Sequence, residues 1–130
     1  MTDPPTISLG IHWVAELEQC RPERLSLENV HRCLNEVPAR LGLTRVGEAL
    51  VHERSSDFRN ITGVVLIAES HFSVHCFPER RAVHLDLFSC KSVDFDLARR
   101  FVVECFDARA ISQRLIERQL GDAGQTLRLR

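Results

Sequence analysis

No basic run stands out in this chain, and its 17 lysines and arginines are set against 18 aspartates and glutamates. A binder of nucleic acid or another polyanion would show a one-signed patch, so that class is set aside. Apolar stretches are short as well, and none approaches the roughly 20 residues that a membrane-spanning helix needs. Met1 to Ser8 lacks the basic-then-apolar order of a secretory signal, which makes a cytoplasmic protein the expectation. No C-x-x-C pair occurs among the five cysteines, Cys20, Cys33, Cys76, Cys90 and Cys105. Their spacing therefore gives no support to a structural zinc site or a redox dithiol. Most of them are expected to be small, buried and apolar in character. There is no internal repeat, no low-complexity segment and no G-x-S-x-G elbow.

What is present suits one domain with one core, spanning residues 1–130. Ile7 to Leu17 reads as a strand rich in Ile, Trp and Val. A helix is expected from about Leu27 to Leu41, because Leu27, Val30, Leu34, Val37 and Leu41 recur at steps of three and four. Ser26 suits its N-cap and Gly42 its stop, and Pro38 is placed to bend its last turn. Val46 to Val51 suggests a second strand, and Glu53 to Asn60 a loop.

The centre carries more information. Val64-Val65-Leu66-Ile67 is an apolar run fit for a buried strand, and it leads into Glu69-Ser70-His71. From there the pattern alternates, with His71, Ser73 and His75 on one face and Phe72, Val74 and Cys76 on the other. Pro78 to Arg81 reads as a turn. Val83, Leu85 and Leu87 line one face of the next strand, and His84, Asp86, Phe88 and Cys90 the other. Asp94 or Asp96 is suited to cap a second helix with Leu97, Phe101 and Cys105 on one side. Ala110 to Glu117 suggests a last strand, and residues 121–130 a polar, fraying tail. This order predicts an α+β two-layer sandwich, an antiparallel-rich sheet with helices packed on one face.

Taken alone, Ser70 beside His71 is a weak signal for nucleophilic chemistry. His71 and His75 on one strand face have no third ligand at a clear spacing, so no metal site is expected. The longer context is more specific. The segment from Thr62 through Glu69-Ser70-His71, His75 and Pro78-Glu79 resembles the self-processing segment of bacterial and archaeal S-adenosylmethionine decarboxylases. In that family an apolar strand leads to Glu-Ser-His, then a histidine four residues on, then Pro-Glu. Asp86-Leu87-Phe88-Ser89-Cys90 is similar to the family's Asp-x-Phe-x-Cys strand. Leu9-Gly10-Ile11-His12-Trp13-Val14-Ala15-Glu16, with Cys20, is similar to its opening strand.

The resemblance implies a proenzyme that cuts itself between Glu69 and Ser70. The Ser70 hydroxyl attacks the Glu69 carbonyl, an ester forms, and elimination and hydrolysis leave a pyruvoyl cofactor. His75 matches the family's processing base, and Thr62 stands where the family usually has an assisting serine. The pyruvoyl carbonyl would form a Schiff base with the substrate amine and act as electron sink. Cys90 matches the proton donor and must then be a protonated thiol. The family's role is to supply the aminopropyl donor for spermidine. It also implies at least a homodimer, with sites near the subunit interface, acting on a small amino-acid-type substrate.

The substrate residues depart further from the pattern. Where the family has phenylalanine before histidine, this chain has Val51-His52, which removes an aromatic face worth about 0.5–1.5 kcal/mol in stacking. Trp13 and Phe58 are candidates to compensate. Phe77 keeps an aromatic in Cys76-Phe77-Pro78-Glu79, and Glu79 keeps the carboxylate that resembles the ribose binder. Arg80-Arg81 are more basic than the family tends to be and suit a solvated turn. Two alternatives follow, a pyruvoyl-dependent arginine or ornithine decarboxylase on the same fold, and an uncleaved, non-catalytic homologue.

Overall fold

A computed structural model describes residues 8–119 of the chain. The expected tail at 121–130 lies outside the described residues. The elements are β1 (Ser8–Glu18), α1 (Leu27–Arg40), β2 (Arg45–Arg54), β3 (Asn60–Ile67), β4 (Ser70–Phe77), β5 (Ala82–Ser89), α2 (Phe95–Phe106) and β6 (Ala110–Gln119). Short 3-10 turns occupy Pro22–Arg24 and Pro78–Arg80. The strands form one six-stranded sheet in the order β2-β3-β4-β5-β1-β6, and every neighbouring pair is antiparallel.

Both helices pack on one face of this sheet, the α+β sandwich that the pattern predicts. The Ser26 side chain accepts a hydrogen bond from the Asn29 N–H at 3.1 Å and starts α1. Asp94 does the same for the Leu97 N–H at 3.1 Å and starts α2. The apolar stripe of α1 buries Val30, Cys33, Leu34 and Val37, and full burial of each valine or leucine is worth about 1.5–3 kcal/mol. It lies close against β3, where a methyl group on Gly63 would meet Leu34 Cδ1 at 2.5 Å. Trp13, Ala15 and Leu17 of β1, Ile61, Val65 and Ile67 of β3, Phe72, Val74 and Cys76 of β4, and Val83, Leu85 and Leu87 of β5 make most of the sheet's half of the core.

Four sequence expectations need correction. The run Val64-Val65-Leu66-Ile67 is buried on one face only: Val65 and Ile67 enter the core, while Val64 and Leu66 are exposed. The stripe of α2 is Ala98, Val102, Cys105 and Phe106. Leu97 and Phe101 are only half-buried, and Arg40 of α1 covers the Phe101 ring at 4.5 Å. Strand β2 runs on to Arg54, past a bulge between Val46 and Leu50, so the loop expected from Glu53 shrinks to residues 55–59. Trp13, a candidate for stacking on substrate, is fully buried, and its Nε1–H donates to Gln113 Oε1 at 2.9 Å. It is a core residue and offers no face to a ligand.

The other sheet face is uncovered among the described residues. It carries His12, His71, His75 and His84 by register, and Val46, Leu50, Val64, Leu66 and Ile116 stand exposed on it.

Candidate active site

Ser70 opens β4 directly after a two-residue hairpin turn, Ala68-Glu69, with Ile67 and Ser70 paired across it. Glu69 is held at φ +63°, a left-handed conformation that costs a non-glycine residue about 1–2 kcal/mol. The strain falls on the residue whose carbonyl precedes the Ser70 nitrogen. Ser70 Oγ accepts a hydrogen bond from the Cys90 N–H at 3.3 Å, because Ser70 pairs with Ser89 at the end of β5. The Cys90 side chain is exposed. Nearby, β1 passes so close to β5 that a Cβ on Gly10 would lie 2.7 Å from both the Phe88 ring and the Ser89 carbonyl. Gly10, at φ +154°, is the residue that allows this approach.

A second group gathers at the opposite end of β4. Thr62 is the cross-strand partner of His75, and its hydroxyl lies 3.4 Å from His75 Nδ1 and 2.9 Å from Asn60 Oδ1. The Thr62 hydroxyl donates to Asn60, which leaves its oxygen able to accept from His75 Nδ1 when that nitrogen carries the ring proton. His84 pairs with His75 on the other side. The Phe77 ring lies 5.2 Å from His84 and 6.4 Å from Phe58, and Glu79 follows, exposed, in the 3-10 turn.

The two groups do not meet within one chain. Ser70 and His75 are five positions apart on an extended strand, about 16 Å at 3.3 Å per residue. Their odd spacing also sends the side chains to opposite faces. The arrangement brings Ser70 together with Cys90, and Thr62 with His75, as two separate groups; Phe77 lies two residues beyond His75 on the same strand face, and Glu79 follows in the turn.

The family model described as S-adenosylmethionine decarboxylase matches residues 11–119. The chain belongs to the S-adenosylmethionine decarboxylase family. It is similar to the S-adenosylmethionine decarboxylase proenzyme of Thermodesulfovibrio yellowstonii, 32% identical over 107 residues that cover 81% of this chain and 77% of that protein. The proenzyme of Archaeoglobus fulgidus is 40% identical over 83 residues, covering 63% of this chain and 71% of that one. In fold the chain resembles the crystal structure of the adenosylmethionine decarboxylase from Aquifex aeolicus. The TM-score is 0.77 at 21% identity, and the match covers 92% of this chain and 98% of that one.

In this member of the S-adenosylmethionine decarboxylase family, Leu50, His52, Thr62 and Val64 share the uncovered face around an apolar hollow of about 370 Å³ that Val51 and Gly63 also border; Val51 itself, expected to touch substrate, pairs with Gly63 on the helix-covered face and packs against the core. The hollow adjoins the group that holds His75. Burial pushes the Cys20 thiol up to about 11 and the Cys76 thiol up to about 12, so neither suits proton exchange near neutral pH. Sequence reasoning missed Asn60 and His84. Asn60 orients Thr62, and His84 flanks His75. Counting outward from a two-residue turn at 68–69 would have paired Thr62 with His75, and the same count across the next turn would have reached His84.

Proposed function

We propose that this chain is a self-processing, pyruvoyl-dependent S-adenosylmethionine decarboxylase. The observation that carries the reading is Ser70 at a strained hairpin, its hydroxyl held on the Cys90 N–H, in a chain of this family. Ser70 Oγ attacks the Glu69 carbonyl carbon and the Glu69–Ser70 amide becomes an ester, with the nitrogen released as an amine. Loss of the Ser70 α-proton expels the Glu69 carboxylate and cuts the chain. Hydrolysis of the resulting dehydroalanine releases ammonia and leaves the pyruvoyl group. Once formed, that group supplies the carbonyl electron sink for loss of carbon dioxide. Cys90 holds a proton at Sγ beside position 70 and returns it to the product carbon.

Removal of the α-proton by His75 requires contact at about 3 Å, which one chain does not offer. A second copy supplies it. Two sheets laid face to face about a twofold axis perpendicular to the strands run in opposite directions. The Ser70 end of one then faces the His75 end of the other, and what the partner's His75 approaches is the Glu69–Ser70 backbone at the rim of the hairpin, where the α-proton is lost, rather than the helix-facing Ser70 side chain. The exposed apolar side chains Leu50, Val64, Leu66 and Ile116 on the uncovered face favour such burial. A partner sheet would also shield Glu69 and Cys90, both exposed in the single chain, from water. The homodimer therefore carries two composite sites, each built from Ser70 and Cys90 of one chain and Thr62, His75, Phe77 and Glu79 of its partner.

Glu79 binds the ribose hydroxyls and Phe77, with Phe58 beside it, offers the adenine an aromatic face. The product is the aminopropyl donor for spermidine, made in the cytoplasm. Val51 in the place of an aromatic favours a second reading, decarboxylation of arginine or ornithine in the same pocket. Carbon dioxide release from S-adenosylmethionine, arginine and ornithine by the cleaved protein separates them. Turnover of S-adenosylmethionine is the expected result, and turnover of a basic amino acid alone would move the assignment to the second reading.

A further inference from the structure

The two helices meet at a pair of thiols that the decarboxylase reading does not use. Cys33 on α1 is fully buried, and Cys105 on α2 is 7% exposed. Asn29 sits one turn before Cys33 on the same face of α1, and its Nδ2 donates to the Cys105 carbonyl at 2.9 Å. The helices are thus pinned together at this point, which sets the Cys33 and Cys105 thiols beside one another in the core. Above them a cavity of about 180 Å³ opens to solvent, lined by Arg24, Arg32, Glu36, Arg40, Glu104 and Cys105. Its three guanidinium groups outnumber its two carboxylates. Arg32 is oriented by a 2.7 Å hydrogen bond to Asn29 Oδ1.

We propose that Cys33 and Cys105 form a peroxide-driven disulfide, with Cys105 as the attacking thiol and Cys33 as the resolving one, and with the Arg-lined cavity as the peroxide's route in. Cys105 lines the cavity and Cys33 does not, so peroxide meets Cys105 first; the neighbouring Cys33 thiol, with Arg32 and Arg40, holds the Cys105 thiol below its ordinary pKa, whereas Cys33 is pushed well above. Cys105 therefore ionises first. Its thiolate attacks one oxygen of hydrogen peroxide, the O–O bond breaks, and hydroxide leaves and takes up the thiol's proton as water. Cys105 is now a sulfenic acid. The Cys33 sulfur attacks the Cys105 sulfur, the S–O bond breaks, and the departing hydroxide takes the Cys33 proton as a second water. Two thiols have given two electrons and two protons to one peroxide.

The position of the bond gives it a consequence. Cys33 lies in residues 1–69 and Cys105 in residues 70–130, so the disulfide would rejoin covalently the two pieces that self-cleavage separates. That consequence rests on the cleavage proposed above, and the disulfide itself does not.

The test treats wild type and Ser70→Ala with hydrogen peroxide, maps peptides without reduction and runs both proteins on non-reducing and reducing gels. A linked Cys33–Cys105 peptide is expected in both proteins. Wild type should run as one full-length species without reductant and as two pieces with it. Cys33→Ala should abolish the link and leave a sulfenic acid at Cys105 that a 1,3-dione probe captures, and Cys105→Ser should abolish both link and capture. A linked peptide in a wild type that stays whole under reduction would sink the cleavage reading and leave this one standing. A link found instead between Cys20 and Cys76, or only between Cys90 residues of two chains, would overturn the proposal, as would absence of the Cys33–Cys105 peptide from both proteins.

Discussion

If each site is shared between two chains, two inactive variants should rescue one another. Ser70→Ala removes the nucleophile and His75→Ala removes the base, so each alone should remain uncut. The structure sets the expected yield when they are co-expressed in equal amounts. Ser70 lies about 16 Å from His75 of its own chain along β4, far beyond the roughly 3 Å of proton transfer. A His75→Ala chain in a mixed dimer presents its intact Ser70 to the intact His75 of the Ser70→Ala partner. Random pairing gives about half of the His75→Ala chains such a partner, so about half of them, roughly a quarter of all chains, should be cut. Intact mass measurement with a mass tag on one variant reads this fraction directly. Cleavage no higher than in the separate variants, in a preparation shown to contain mixed dimers, would refute the shared site and return His75 to its own chain.

The two groups make further tests separable. Cys90→Ala should still be cut but should lose decarboxylation by about 100-fold or more, the usual scale of a missing proton donor; wild-type carbon dioxide release from this variant would remove Cys90 from the mechanism. Glu79→Gln should raise KM for S-adenosylmethionine about tenfold, since a charge-assisted hydrogen bond is worth about 1.5–3 kcal/mol, with little change in arginine or ornithine turnover. Gly63→Ala should destabilise the fold by about 1–3 kcal/mol in urea melts, because the added methyl meets Leu34 at 2.5 Å; an unchanged midpoint would mean that α1 shifts freely over β3.

Local features of the chain were legible. The caps at Ser26 and Asp94, the 3.6-residue stripe of α1 and the alternation through β4 all follow from side-chain chemistry that acts over a few residues. The helix-face parity of Trp13 with Ala15 and Leu17 was also present in the alternation. Reading Trp13 as a substrate residue overlooked that the same parity buries it. In α2 the large side chains Leu97 and Phe101 drew attention from Ala98, which lies in the buried stripe. The placement of β1 between β5 and β6 joins segments about a hundred residues apart in the chain, and no local pattern encodes that pairing. The resemblance named Ser70, His75 and Cys90 together. Strand geometry adds that five extended residues part the first two, which turns a list of site residues into an argument for a second subunit.

The central claim is that Ser70 becomes the cofactor, and intact mass measurement of the purified wild-type chain tests it most directly. The account predicts two pieces, residues 1–69 ending in a free Glu69 carboxylate and residues 70–130 beginning with a pyruvoyl group, while Ser70→Ala stays a single chain. A wild-type protein that remains whole after prolonged incubation, with Ser70 unmodified, would contradict it.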